Sequence, residues 1–292
     1  MFRKLLVPLC LLLCAALLGG CAANAPAATP DPHAGEVLVA NGRGGEYWVK
    51  DYETLPVMAL DEAAFVPDGE YINYIGTDAE ALRGVDVSEH QGEIDWAAAA
   101  ADGLDFAIVR VGYRGWSLGG VFEDLYFRQN VEGALANGLR VGVYFFSQAV
   151  KPEEAREEAR FLLERVADYD LALPVFYDWE SIDSGPARTN GMTGAEVTDC
   201  ALAFAEEVAA AGKSCGVYFY RDLGYKFYEL DRLAGLEFWA GAAGSTPDFH
   251  YKHTVWQFSF TGQVSGIEGD CDLDLYFIYP EPEPEETPEA EG

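Results

Sequence analysis

The stretch PVFYDWES, residues 174–181, ends an apolar run in two carboxylates, Asp178 and Glu180, with Trp179 between them. In an extended chain, residues i and i+2 face the same way, so both acids belong to one face. Like charges held that close raise at least one pKa. Paired acids of this kind suit cleavage of a glycosidic bond. One must carry a proton for the leaving oxygen, and the other must be ionised beneath the developing oxocarbenium charge. Phe176, Tyr177 and Trp179 supply apolar neighbours that help hold one acid neutral by desolvation. A strand running out into solvent would also end in acids, so the elements around the pair have to decide.

Those elements form a regular pattern. Apolar runs with strand character occur at 84–88, 106–111, 141–146, 174–180, 215–220, 237–241, 254–258 and 273–277. Helical stretches separate the early ones. Residues 153–167 follow Pro152 and carry acids in the first turn. Residues 194–211 start at Thr193 with Glu196 at capping-box spacing and stop before Gly212, and 123–137 stop before Gly138. Alternating strands and helices imply an α/β chain with parallel strands and right-handed crossovers. Eight strand candidates in so short a span predict an irregular (β/α) barrel of TIM type. Active sites of such barrels lie at the C-terminal ends of the strands, where Asp178, Glu180 and Asp86 fall. Tyr144, Phe145, Phe146, Tyr218, Tyr220, Trp239 and Trp256 recur near the same ends. About half of them are expected to pack the core and the rest to offer faces for sugar rings.

Several motifs then fall in a recognisable order. Gly84-Val-Asp86-Val-Ser88-Glu-His90-Gln91-Gly92 is followed by Ile94-Asp95-Trp96, and later by Gly138-Leu-Arg-Val-Gly142-Val-Tyr144, Asp178-Trp179-Glu180, Trp256-Gln257-Phe258-Ser259 and Cys271-Asp272-Leu-Asp274. Together, over roughly 83–279, the set resembles the glycoside hydrolase family 25 lysozymes. The resemblance implies a barrel of five βα units followed by three strands with short connectors, and N-acetylmuramidase activity on the β-1,4 bond between N-acetylmuramic acid and N-acetylglucosamine. It assigns Glu180 as general acid and Asp178 as second carboxylate, with Asp86 and Asp272 shaping the field around them. Tyr144, Tyr218, Trp239, Gln257 and His90 become the expected substrate contacts. A substrate-assisted route, in which the 2-acetamido oxygen attacks the anomeric carbon, is favoured over a direct carboxylate nucleophile. Two positions depart from the family pattern: Phe145 stands where His is common, and Asp274 where Asn is usual, which is expected to add charge to the site.

Competing patterns carry less. Gly115-Trp-Ser117-Leu-Gly119 has the G-x-S-x-G spacing of a hydrolase elbow, but it lies in a Gly-rich loop and not at a strand-to-helix turn. His250 and His253 lack further ligands at zinc-like spacing and read as residues of a solvated loop. Residues 270–274 lack the Gly and final Glu of a calcium loop. No metal or cofactor is expected. A catalytically silent wall-glycan binder and a glucosaminidase or chitinase-like glycosidase are the alternative functions; fold alone does not ensure activity, which keeps the binder open, but Asp86, Asp178 and Glu180 together argue against it, since a binder has no use for a protonated carboxylate.

The ends of the chain describe its setting. Arg3 and Lys4 precede an apolar core from Leu5 to Leu18, too short for a membrane span and typical of a signal peptide. Leu18-Gly19-Gly20-Cys21 resembles a bacterial lipobox, which implies export, lipid attachment at Cys21 and a position on the cell membrane facing the wall. Residues 22–35 read as a flexible tether, 36–80 as a small extension of unassigned role, 81–279 as the catalytic barrel, and 280–292 as an acidic Pro/Glu tail. The formal charge of −30 becomes −32 once Arg3 and Lys4 are removed, which disfavours nucleic acid and anionic lipid head groups as partners. Peptidoglycan glycan strands are the expected partner of a monomer. Cys200, Cys215 and Cys271 allow one disulfide at most and leave at least one thiol free.

Overall fold

The computed structural model describes residues 31–280 with the exception of residue 183. The expected signal peptide, the expected lipidation site Cys21, most of the expected tether and nearly all of the expected acidic tail therefore lie outside the described residues. The chain divides into units of 1–34 and 35–292, and the architecture below is that of the second.

The segment 36–80 is built of two hairpins. β1 (Glu36–Ala40) pairs antiparallel with β2 (Glu46–Lys50), and β3 (Phe65–Asp68) with β4 (Tyr71–Tyr74). Its apolar positions do not form a core of their own. Val39, Val49, Tyr52, Leu55, Phe65, Tyr71 and Ile72 join the same buried cluster as the barrel's outer layer. Phe65 sets its ring edge-on to Trp256 at 5.5 Å and to Phe277 at 6.1 Å. Burying one such ring stabilises by about 1.5–3 kcal/mol, enough to make the segment part of the domain and not an appendage.

Eight strands close the barrel: β5 (Glu80–Val87), β6 (Phe106–Arg114), then, after a short hairpin strand β7 (Val121–Glu123), β8 (Arg140–Ser147), β9 (Val175–Trp179), β10 (Cys215–Tyr220), β11 (Glu237–Gly241), β12 (Val255–Gly262) and β13 (Cys271–Ile278). The order around the sheet is β5-β13-β12-β11-β10-β9-β8-β6, and β5 pairs with β6 to complete the ring. Helices α1 (Trp96–Ala101), α2 (Phe127–Ala136), α3 (Pro152–Val166), α4 (Gly194–Ala210) and α5 (Arg221–Lys226) lie in the connections. Local chemistry starts them where the sequence indicates. Thr193 and Glu196 form the capping box of α4, and Asp95 accepts from Ala98 N–H at the start of α1. Gly138, at φ +82°, follows α2 in the left-handed conformation that ends a helix cheaply only at glycine.

Period-2 alternation sorts the strand residues between two cores. Leu82, Phe106, Ile108, Tyr144, Phe176, Tyr218, Trp239 and Val255 fill the inside of the barrel, while Val175, Tyr177, Val143 and Phe145 face the helices. A methyl at Gly84 or Gly216 would run into the Phe106 or Phe176 ring, so bare backbone makes room for the inner aromatics.

Three expectations change. The barrel is not wholly parallel: β13 runs antiparallel to both β12 and β5. Its connection from β12 spans only 263–270, too short for a crossover back to the other end. Helix α2 begins at Phe127 and not near 123, because 121–123 pair with β6 instead. His250 and His253 do not sit in a solvated loop. The extension lies over them, with Met58 N–H donating to the His250 carbonyl and Lys252 N–H to that of Pro56, both at 2.8 Å. His253 is 1% exposed, its Nδ1 lies 2.9 Å from the Tyr251 carbonyl, and burial lowers its pKa to about 4. Cys200, Cys215 and Cys271 are all buried free thiols.

Candidate active site

The parallel strands β5, β6 and β8–β12 run toward one rim of the barrel. Because β13 runs against them, its first residues reach that same rim, and Asp272 pairs in register with Asp86. The result is a cleft of about 460 Å³. Its wall takes Asp86 from β5, Ser88, His90 and Gln91 from the turn after it, Arg110 from β6, and Tyr144 and Phe146 from β8. Asp178 and Glu180 follow from β9 and its end, Tyr218 and Tyr220 from β10, Trp239 from β11, Gln257 and Phe260 from β12, and Asp272 from β13.

All nine residues named from the sequence, Asp86, Asp178, Glu180, Asp272, Tyr144, Tyr218, Trp239, Gln257 and His90, thus border one cleft. The aromatic set divides by strand face. Tyr144, Phe146, Tyr218, Tyr220 and Trp239 line the opening, whereas Phe145 packs on Phe161 of α3 and Trp256 is buried with its Nε1 donating to the Ala242 carbonyl. The departure at Phe145 therefore points away from the cleft. Asp274 differs from expectation: it does not line the opening but lies beneath it, 1% exposed, taking a 2.8 Å hydrogen bond from Trp239 Nε1.

Two supports place the acid pair. Behind β9, Ser147 Oγ donates to Glu158 Oε2 at 2.6 Å and meets the Tyr177 hydroxyl at 3.1 Å, while Arg114 Nε holds Glu158 Oε1 at 2.6 Å. This buried network fixes the strand one residue before Asp178. The strand itself stops at Trp179, so alternation alone no longer sets Glu180. Gln148 Nε2 donates to the Glu180 carbonyl at 2.9 Å, and Thr189 Oγ1 donates in turn to Gln148 Oε1 at 2.8 Å. The Glu180 side chain is left exposed to the open cleft, whereas Asp178 is 5% exposed and its Oδ1 has no hydrogen-bond partner.

The electrostatics follow from this crowding. Burial pushes Asp178 well above the usual carboxylate range, the charge of Glu180 adds to the rise, and Arg110 opposes it. Glu180 is raised by the protein mass around it and then by Asp272, though its reach to solvent keeps it the more hydrated of the two. Asp272 is pushed up to about 6 by burial. Arg110 and its anchors were not evident in the sequence: its Nε donates to Asp124 Oδ2 at 2.7 Å, and its other nitrogen lies 3.2 Å from Glu89. In the apolar run FAIVRV, Arg110 is the one charge, the one signal that pointed to it. Ser88 stood within the Gly84–Gly92 motif without an assigned role, and Gln148 and Phe260 carried no signal.

A closed barrel whose mouth gathers carboxylates of raised pKa among aromatic faces has the groups that cleavage of a glycosidic bond requires. Comparison with known proteins narrows this. Residues 85–267 match the profile of Glycosyl hydrolases family 25, and the chain belongs to that family. The autolytic lysozyme of Clostridium acetobutylicum is 24% identical over 196 residues, covering 67% of this chain and 56% of its own length. This chain therefore spans little more than half of that relative. A family 25 glycosyl hydrolase from Bacillus anthracis superposes with a TM-score of 0.58 at 26% identity, over 72% of this chain and 94% of its own. A modular autolysin from Streptococcus pneumoniae, solved with a synthetic peptidoglycan ligand, shares the fold with a TM-score of 0.60 at 22% identity, over 83% of this chain and 56% of its own.

Proposed function

We propose that this protein is a peptidoglycan hydrolase that cuts the β-1,4 bond between N-acetylmuramic acid and N-acetylglucosamine. The observation that carries the reading is the asymmetry of the acid pair in a family 25 barrel: Glu180 opens onto the cleft, while Asp178 sits buried behind it with an unpartnered oxygen. Burial raises the pKa of both acids and the charge of Glu180 raises that of Asp178 further, which favours a proton shared between them. Glu180 is where that proton can meet a glycosidic oxygen.

Glu180 protonates the leaving oxygen as the C1–O bond breaks. The 2-acetamido oxygen of the N-acetylmuramic acid attacks C1 of its own ring as the other sugar leaves, and the positive charge that develops on the ring and amide faces Asp178, whose open Oδ1 accepts the amide N–H. Water then attacks C1 and gives its proton to the Glu180 carboxylate, which restores the starting state. Arg110 opposes the rise at Asp178 and so favours its charged form, while burial and then Asp272 raise the Glu180 pKa and favour its proton. Asp86, hydrogen-bonded to Gln257, shapes the field below the sugar. Tyr144, Tyr218 and Trp239 offer ring faces, and His90 stands at the border of the cleft.

In this reading the barrel is a TIM-type variant with five βα units and three closing strands, spanning 81–279. Residues 36–80 brace its outer layer and contribute nothing to the cleft wall. Digestion of purified peptidoglycan, followed by reduction and mass spectrometry of the new ends, tests the function. Reducing N-acetylmuramic acid ends are expected. Reducing N-acetylglucosamine ends would reassign the enzyme as a glucosaminidase, and no products from folded protein would leave a glycan binder.

The motif Leu18-Gly19-Gly20-Cys21 supports an exported monomer tethered to the membrane by lipid on Cys21, where it meets wall glycan and not nucleic acid. Cys21→Ala is expected to move the protein from the membrane fraction to the soluble one. Its retention in the membrane fraction would refute the anchor.

A further inference from the structure

Beneath the cleft, strand pairing buries two more carboxylates against each other. β13 runs beside β5 with Asp272 opposite Asp86 and Asp274 opposite Gly84, which brings the Asp86 and Asp274 side chains into hydrogen-bond contact. Asp86 is 6% exposed and Asp274 1%. Their other partners are neutral. Gln257 Nε2 donates to Asp86 Oδ2 at 2.7 Å, and Trp239 Nε1 to Asp274 Oδ1 at 2.8 Å. No cationic side chain among the described residues forms an ion pair with either acid. Asp274 Oδ2 receives no N–H or hydroxyl donor.

The hydrogen count then has one solution. Two ionised carboxylates are acceptors only, so a hydrogen bond between them needs a proton. Two buried charges whose donors are all neutral would also remain uncompensated. The directions of the remaining bonds agree. The Tyr218 hydroxyl donates to Gln257 Oε1 at 2.9 Å, which turns the amide so that its nitrogen faces Asp86. The chain of bonds therefore runs from Tyr218 through Gln257 to Asp86, and on to Asp274, where Trp239 donates from the other side.

We propose that Asp274 is a positioning residue: Asp86 and Asp274 share a single proton, and that proton joins Tyr218, Gln257 and Trp239 into one hydrogen-bonded floor beneath the sugar. The negative charge of the pair rests on Asp274, below Trp239, and Asp86 presents a neutral carboxyl to the cleft. Burial and the carboxylates of Asp272 and Asp274 push the Asp86 pKa up, and burial does the same to Asp274. The other titratable groups facing Asp86 are Tyr144 of β8, Tyr218 of β10 and Cys271 of β13, none of which is charged at neutral pH. The benefit of this floor to catalysis rests on the proposed function, but the proton itself is a property of the resting protein.

Protein labelled with 13C at the aspartate carboxyl carbons, held at pH 6.5 without substrate, tests the proposal. Loss of a resonance in Asp86→Asn assigns Asp86, and loss of one in Asp274→Asn assigns Asp274. In the unsubstituted protein one resonance of the pair is expected at the protonated position and one at the ionised position. In Asp274→Asn the amide keeps an acceptor for Trp239 and offers its nitrogen to Asp86, so the Asp86 resonance is expected to move to the ionised position. Two ionised resonances in the unsubstituted protein, or an Asp86 resonance unmoved by Asp274→Asn, would overturn the proposal. Neither readout uses turnover, so a failure here is separable from a failure to cleave peptidoglycan.

Discussion

Glu180→Gln is expected to lower kcat on purified peptidoglycan by about 10²–10⁴-fold, the usual contribution of a positioned general acid, with KM little changed. Gln has the shape of the acid and can still approach the glycosidic oxygen, but it has no proton to release as the bond breaks. The Glu180 side chain is exposed to the cleft and makes no hydrogen bond to the described residues, so the exchange should leave stability within about 0.5 kcal/mol. The bond that positions it uses the backbone carbonyl, which the substitution retains. Burial and Asp272 raise the Glu180 pKa, so its acid form persists above the ordinary carboxylate range, and activity should fall as pH rises through that raised value. Release of new reducing ends across pH, read for both proteins, checks the effect. A Gln variant within a few-fold of the parent would remove Glu180 from the role.

Asp178→Asn should cost about 10²–10³-fold in kcat, in line with the loss of one preorganised charge at a developing cation. The reasoning differs from that for Glu180. Asp178 is deeply buried, its Oδ1 is unpartnered, and Arg110 supplies the opposing charge that favours its ionised form. Asn fills the same space, and Arg110 keeps Asp124 and Glu89 as partners, so the fold should survive. The companion measurement is cleavage of de-N-acetylated glycan by the unsubstituted enzyme. If the acetamido oxygen is the nucleophile, that substrate should fall to background. Its cleavage at a comparable rate would make Asp178 itself the nucleophile.

Much of this was legible in the chain. The eight barrel strands could be placed because apolar alternation, Gly spacing and helix caps are local signals that act over a few residues. Asp178 stood out because an i, i+2 acid pair at the end of an apolar strand has no packing reason. What escaped was non-local. The antiparallel direction of β13 depends on a connection too short to cross the barrel, and the burial of His253 depends on a segment some two hundred residues upstream folding over it. Arg110 is a lone charge in an apolar run, and only folding brings Asp124 and Glu89 to it.

The amino-acid sequence by itself determined the strand and helix order, the family and the identities of the acids at the strand ends, since each is written in neighbouring residues. Only the tertiary structure decided which acids are crowded, which lie open, and which must keep a proton. Asp86 and Asp274 are far apart along the chain and become partners solely through the closing of the barrel, and a carboxylate's charge is set by lost water and by neighbours that only folding brings near.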